Sequence, residues 1–195
     1  MKLHYKGAYD LNPESLPHGD HMPGAVAFKE AKDSRQLSII ANTAGLVIML
    51  ALAVPAWFRC RDFFGPGAFV QSLVGYLLSM LILFPHEILH AVCFKEDVYL
   101  YTNWKQGLLF VVGPETMSKG RFIFMSLLPN LVFGIIPYVL GMLFPKLVFA
   151  AALGVLATSM GAGDYYNVFN AATQMPKGSR TYLHKFHSYW YLPKT

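Results

Sequence analysis

The run His86-Glu87-Ile88-Leu89-His90 has the residue types and the spacing of a metal-dependent hydrolytic site. Residues four apart lie on one face of a helix, so both imidazoles can bind one zinc ion at about 2.0–2.1 Å. The glutamate after the first histidine would then reach a water on the same ion and act as its general base. The alternative is a pair of hydrogen-bonded histidines near a membrane surface. Ionisable side chains in an apolar stretch are costly without such a partner, which favours the metal site.

A catalytic zinc ion needs a third protein ligand and an open position for water. Asp164 is the candidate, because it is the only acidic residue in the first, third and fourth apolar stretches of the chain. The second and fourth stretches would run in the same direction. His86 and His90 lie eight and four residues before the end of the second stretch, and Asp164 lies seven residues before the end of the fourth. A rise of about 1.5 Å per residue therefore places all three at similar depth. The alternative is an aspartate bonded only to neighbouring hydroxyl groups.

Several residues could support Asp164. Gly161 and Gly163 leave a thin helix face that another helix can approach closely. Asn167, one turn beyond, could orient Asp164 or the substrate, or could simply cap the helix end. Asn130 could bond the substrate backbone, although an interhelical hydrogen bond is the commoner role of a buried amide. Both amides are candidates for contacts with the third ligand or with the substrate.

Four long apolar stretches must position these residues, at 37–57, 68–94, 121–144 and 147–171. Each has at least the roughly 20 residues that a helix needs to cross a bilayer. The chain of 195 residues is 54% hydrophobic, with a mean hydropathy of +0.38, and only 14% of it is charged. A soluble domain has about 25% charged residues, so a soluble nucleic-acid-binding module and a disordered chain are both excluded. The sequence predicts an all-α membrane protein, a polytopic bundle of about four transmembrane helices.

Basic residues are distributed unevenly around the four stretches. Of the 16 Lys and Arg residues, 13 lie in 1–36, 95–121 and 172–195, the segments that four crossings would place on one side. The positive-inside rule assigns that side to the cytoplasm. We therefore expect an integral protein of the plasma membrane with both termini in the cytoplasm. Cys60 and Cys93 would lie at opposite faces of the bilayer, too far apart for a disulfide.

The chain is expected to have three parts: a cytoplasmic tail over 1–36, a transmembrane domain over 37–171 and a second cytoplasmic tail over 172–195. The first tail is rich in Pro and Gly and should be extended, with at most a short helix over 28–33. Short β-prone runs at 98–102 and 108–112 predict a β-hairpin in the cytoplasmic loop between the second and third stretches. Aromatic residues among basic ones predict an interfacial amphipathic segment in the second tail.

The first tail also holds a second candidate group of metal ligands. His18, Asp20 and His21 lie within four residues of one another. Short histidine-containing tracts can bind metal, but solvated tail residues are the commoner explanation of such a group. We therefore expect these side chains to be solvated.

The HExxH motif near the cytoplasmic end of a membrane helix, the β-prone segment after it and the aspartate in a later Gly-rich stretch resemble the site-2 protease class of intramembrane zinc metallopeptidases. The chain is more closely similar to a small bacterial family of membrane HExxH proteins, the zincin peptidases. Four segments support that similarity: Leu3-His4-Tyr5-Lys6-Gly7, Leu16-Pro17-His18-Gly19, the HExxH motif and Gly163-Asp164.

The resemblance implies a zincin-like domain over 37–171 and assigns a role to each site residue. His86 and His90 match the zinc-binding histidines, Glu87 the catalytic glutamate and Asp164 the third ligand. Site-2 proteases present that ligand in an Asn-Pro-x-x-Asp-Gly stretch, whereas here Asp164 is followed by Tyr165 and no proline precedes it nearby.

These observations together predict a zinc-dependent membrane metallopeptidase that hydrolyses peptide bonds near the cytoplasmic face. The expected partners are the lipid bilayer and a protein or peptide substrate, membrane proteins included, with no nucleic acid. Four helices form a minimal bundle, so a second copy of the chain could supply the substrate gate.

The alternative is a non-proteolytic metal-dependent hydrolase, or an inactive family member that binds a partner. A metal transporter would spread its ligands along a path through the bilayer, whereas these ligands gather at one depth.

Overall fold

The computed structural model describes residues 1–60, 65–103, 108–185 and 187–193. The described residues are mostly helical, with 57% of them in helices, and they also form small sheets. The described α-helices are α1 (Ser34–Arg59), α2 (Pro66–Leu81), α3 (Leu83–Ala91), α4 (Lys119–Pro129), α5 (Ile136–Leu143), α6 (Val148–Met160) and α7 (Ala162–Gln174). A π-helical turn, Asn130–Ile135, joins α4 directly to α5.

Two helical segments are long and apolar enough to cross a membrane, namely α1 and the continuous run Lys119–Leu143. They coincide with the stretches predicted at 37–57 and 121–144. Two further spans are possible only if a bent pair of helices counts as one span. These pairs are α2 with α3, bent by 42°, and α6 with α7, bent by 52°. The described residues therefore hold between two and four candidate spans. The four crossings expected from the sequence stay a prediction.

Both bends occur where the helix is interrupted. The break between α2 and α3 lies at Ile82, close before Pro85, whose nitrogen has no hydrogen to donate to the Leu81 carbonyl. The break between α6 and α7 lies at Gly161, a residue type that weakens a helix interior. Each break comes three or four residues before a candidate metal ligand, His86 in α3 and Asp164 in α7.

The chain divides into two compact units, and the first, here called the helical unit, comprises Ser34–His86 and Leu127–Tyr166. Its centre is α6, which buries nine of its 13 residues and packs against α1, α2 and α5. Glycines allow these close contacts. A Cβ on Gly75 would lie 2.5 Å from the Phe149 carbonyl oxygen, and one on Gly141 would lie 2.5 Å from the Ala151 nitrogen. Small residues at such positions let membrane helices approach each other closely.

The outward faces of α1, α2 and α5 are apolar and exposed. Large side chains on these faces include Leu50 at 54% exposure, Leu81 at 70% and Leu143 at 63%. Soluble monomers rarely expose contiguous apolar surface of this kind, whereas lipid accepts it. The helical unit is therefore compatible with a membrane protein.

The second unit, here called the mixed unit, comprises Met1–Asp33, Glu87–Ser126 and Asn167–Thr195. Its first sheet has the order β1 (Leu3–Ala8), β3 (Val98–Asn103), β4 (Leu108–Val112), with β1 parallel and β4 antiparallel to β3. Its second sheet is antiparallel, in the order β2 (Val26–Ala27), β7 (His187–Tyr191), β6 (Arg180–His184), β5 (Met117–Ser118). Strands β3 and β4 fall on the β-prone runs of the predicted hairpin, and its turn at 104–107 lies outside the described residues.

The expected all-α class with one β-hairpin is confirmed only in part, because the described residues are mostly helical but the mixed unit holds further strands. The first tail contributes strand β1, residues 28–33 are not helical, and the segment expected to be amphipathic forms strands β6 and β7. Strand β1 was missed because its partner β3 lies more than 90 residues further along the chain, where no local pattern can indicate it. Strands β6 and β7 have a local signal, since Thr, Tyr and Trp are favoured in sheets.

Candidate metal centre

Helix α3 presents the HExxH side chains together. One ligand atom from each of His86, Glu87 and His90 lies within 4.8 Å of the others. Glu87 and His90 are buried, with 9% and 7% of their surface exposed. The predicted helix at this motif is confirmed. Among the described residues these are the only three His, Cys, Asp or Glu side chains that already lie this close together.

The backbone of α4 orients one of the two imidazoles. The Nδ1 atom of His90 lies 2.9 Å from the Met125 carbonyl oxygen. A carbonyl can only accept, so His90 donates from Nδ1 and presents Nε2 as its metal-ligating atom. Such a bond from the second ring nitrogen is the usual way in which proteins fix a histidine that binds a metal.

The structure brings His86 and Asp164 together within the helical unit. The Nε2 atom of His86 lies 3.1 Å from Oδ2 of Asp164, and both side chains are 16% exposed. Asn130 donates from Nδ2 to the same Oδ2 atom at 2.7 Å. Asn130 is therefore in contact with the predicted third ligand, one of the two roles that its sequence position suggested.

Gly161 makes the contact between Asn130 and Asp164 sterically allowed. A Cβ on Gly161 would collide with the Asn130 amide, so the absence of a side chain there makes room for it. Asp164 follows three residues later, in the first turn of α7. The close approach predicted at Gly161 is confirmed, whereas a Cβ on Gly163 would meet nothing within 4 Å.

Glu87 is held by a strand of the mixed unit. Its Oε2 atom accepts a hydrogen bond from the backbone nitrogen of Val111 at 3.1 Å. Val111 lies in β4, which is an edge strand because only β3 pairs with it in the described sheet. Its N–H points at Glu87 rather than at β3. The open edge of β4 therefore faces the glutamate.

Two of these contacts were missed by reasoning from the sequence. The Val111 N–H and the Met125 carbonyl are backbone groups. Every residue type has the carbonyl and every type except proline has the N–H, so no residue identity could reveal these contacts. Asn167 lies one turn beyond Asp164 along α7 and is half-buried. Its role as a contact of the ligand or the substrate stays a prediction.

The donor set fits a catalytic zinc ion. His86 and Asp164, which meet in the helical unit, offer nitrogen and oxygen ligands of the kind that such sites use. Two ligand atoms on a tetrahedral zinc ion lie about 3.3 Å apart, given ligand distances of about 2.0–2.1 Å. The 3.1 Å between His86 Nε2 and Asp164 Oδ2 is close to that value. Without an ion, the same two atoms are near enough to form a hydrogen bond.

An HExxH helix with a buried glutamate and metal-ligating histidines defines the zincin class of metallopeptidases. A family model described as "Putative zincin peptidase" matches residues 78–180, more than half of the chain. The chain therefore belongs to this family. The matched range contains α3 and Asp164, and membership implies metallopeptidase activity with zinc as the cofactor. Among curated proteins and among solved structures, none matches the chain.

Proposed function

We propose that the protein is a zinc metallopeptidase that hydrolyses peptide bonds near the cytoplasmic face of a membrane. The observation that supports this best is the group formed by His86, Glu87 and His90 on α3, whose ligand atoms lie within 4.8 Å of one another. The contact of His86 with Asp164 adds the third ligand. The apolar outer faces of the helical unit and the resemblance to site-2 proteases support the membrane setting.

Each site residue has a distinct task in this reaction. Zinc, when bound, supplies Lewis-acid chemistry that activates water and polarises the scissile carbonyl. Glu87 takes a proton from the attacking water and returns it to the leaving amine. The Val111 N–H holds the Glu87 carboxylate at one oxygen and so fixes its direction. His90 and Asp164 keep their orientation through Met125 and Asn130.

The substrate would bind as an extended strand on the edge of β4. The outward orientation of the Val111 N–H shows which edge is open, and Glu87 lies at that edge. An added strand gains main-chain hydrogen bonds from an exposed sheet edge. A helical membrane substrate would have to unwind first, because its backbone groups are bonded within the helix.

The test of this function is the substitution Glu87→Gln. We expect turnover to be lost while zinc stays bound, because glutamine keeps the size of the side chain but cannot take a proton. Glu96→Gln is the matched control, since Glu96 is an exposed glutamate nine residues along the chain. Purified protein would be assayed on a peptide mixture by mass spectrometry, and its zinc content would be measured in parallel.

The same pair of variants identifies the substrate in cells. Proteins that accumulate with Glu87→Gln and not with Glu96→Gln are substrate candidates. Full activity of the Glu87→Gln variant would overturn the mechanism. A wild-type protein with no stoichiometric zinc would overturn the enzyme assignment itself.

A further inference from the structure

Three histidines that are distant in the sequence meet on the mixed unit, away from the HExxH motif. His18 and His21 belong to the first tail, and His184 ends strand β6. The ring centroid of His184 lies 4.9 Å from that of His18 and 5.2 Å from that of His21. The sequence grouped His18 and His21 with Asp20, and the fold adds a third imidazole beside the two rings.

The hydrogen bonds of these rings suit metal ligands. His18 donates from Nδ1 to the Leu16 carbonyl oxygen at 2.9 Å, so Nε2 is its ligating atom. Nδ1 of His21 lies 3.0 Å from the Tyr182 hydroxyl. This contact leaves Nε2 of His21 as the atom for a metal. Bonds of this kind orient histidines at metal sites.

His184 provides the observation that points to a ligand. Its Nδ1 atom is buried and has no hydrogen-bond partner among the described residues. Buried polar atoms in native proteins nearly always have a partner, and a bound ion is one of the common partners where no protein group serves. A divalent cation between the rings would satisfy this atom.

The spacing of the rings agrees with a shared ion. Two imidazoles that bind one ion at about 2.0–2.1 Å have ring centres about 5 Å apart. A carboxylate lies close by, because Glu14 is bonded to Lys185, the residue that follows His184. Nζ of Lys185 lies 2.7 Å from the Glu14 carboxylate, which is exposed and can turn towards the rings.

We propose that His18, His21 and His184 form a second site for a divalent transition metal, zinc by its ligand chemistry, with Glu14 or water completing the shell. Three nitrogen ligands and one oxygen ligand are a common zinc set. The three ligand atoms do not lie within 4.8 Å of one another, so metal binding would draw the segment that carries His18 and His21 closer to His184. The exposure of His18 and His21 leaves room for that movement. The site would connect the first tail to strand β6.

The test is the number of zinc ions bound by the full chain. Purified protein in detergent is equilibrated with buffered zinc, and bound metal is measured by mass spectrometry. We expect two equivalents for the wild type and for His4→Ala, an exposed histidine of the same tail outside the cluster. We expect one equivalent for His184→Ala and for His18→Ala. The His18→Ala change removes an exposed ring, so it tests the site without disturbing the packing around β6.

The His90→Ala variant separates this site from the proposed catalytic one. Cobalt added to the His90→Ala protein should give the absorption of a nitrogen-ligated ion. Adding His184→Ala to the same protein should remove that absorption. One zinc in the wild type that disappears with His90→Ala and persists in His184→Ala would overturn the second site. One zinc that persists in His90→Ala and disappears with His184→Ala would support it and count against the catalytic site.

Discussion

At the scale of the residue, Asp164 depends on Asn130 for its orientation. Asn130 donates to Oδ2 of Asp164 at 2.7 Å and is itself 1% exposed. Residues that orient a metal ligand typically change metal affinity by about 10–100-fold when they are lost. We expect Asn130→Ala to weaken zinc binding by about that factor, as measured by competition with a zinc chelator.

Asn170→Ala is the control for the loss of a buried amide. Asn170 is 4% exposed and contacts Gln174, one turn along the same helix. Its substitution should leave zinc affinity unchanged. Equal zinc affinity of the Asn130→Ala variant and the wild type would show that Asn130 does not orient the ligand.

A second residue of interest is Glu115, which lies outside the candidate spans. Burial raises the pKa of its carboxyl, but hydrogen bonds from Arg121, Lys95 and Glu96 outweigh burial and lower it below the ordinary value of 4.5. The unfolded chain then binds the proton more tightly, so the stabilisation is complete above about pH 4.5 and is lost as the pH falls through the folded pKa.

We expect Glu115→Gln to lower the free energy of unfolding by about 1–3 kcal/mol near neutral pH, because it weakens buried bonds to a charge. The difference from the wild type should shrink as the pH falls below about 4.5, where the wild-type carboxyl also becomes protonated. Thermal unfolding across this pH range is the measurement. Glu96→Gln changes an exposed neighbour and should show no such difference in stability. A stability difference between Glu115→Gln and the wild type that grew in acid would contradict a lowered pKa of Glu115.

At the scale of the element, the edge of β4 should contribute to catalysis and to substrate binding separately. Val111 presents its N–H to Glu87, and Leu109, two residues earlier, presents its N–H to the same edge. Proline is tolerated on the open side of an edge strand, so it removes one donor at a time. We expect Val111→Pro to lower kcat by about 10–100-fold, because a factor of this size corresponds to the free energy of one hydrogen bond to a charged group.

Leu109→Pro is the matched variant for the same strand. It should raise KM and leave kcat nearly unchanged, because this N–H lies on the edge where the substrate would bind. Steady-state kinetics on one cleaved peptide from the substrate screen would distinguish the two. If both variants lost kcat equally, the contact between Val111 and Glu87 would have no separate role.

The elements also show which parts of the fold could be predicted. The helices α1 and Lys119–Leu143 follow from uninterrupted apolar runs, and the HExxH helix follows from its own residue spacing. That Asp164 contacts other polar side chains could be predicted, because a lone carboxylate in an apolar stretch needs a partner. The parallel pairing of β1 with β3 could not be predicted, since register between distant strands depends on tertiary contacts. The backbone groups that contact His90 and Glu87 could not be predicted either, because they have no residue signature.

At the scale of the whole molecule, the uneven distribution of Lys and Arg predicts a single orientation in the membrane. We expect the C-terminus and the N-terminus in the cytoplasm, and the loop around Lys146 on the other side. Alkaline phosphatase folds only outside the cytoplasm, so it should be active when inserted after Lys146 and inactive when fused to the C-terminus. Green fluorescent protein should show the reverse, and phosphatase activity at the C-terminus would contradict the four-span topology.

The glycine contacts of the helical unit also predict an order of assembly. Gly141 packs on Ala151 and Gly154 packs on Tyr138, across a short connection between α5 and α6. Contacts between segments this close in sequence form early in folding, because little chain entropy is lost. The same hairpin of helices brings Asn130 to Gly161 and Asp164, whereas His86 is more than 40 residues away along the chain. We therefore expect a nascent chain to orient its carboxylate ligand first and to become competent for metal only when the HExxH helix docks.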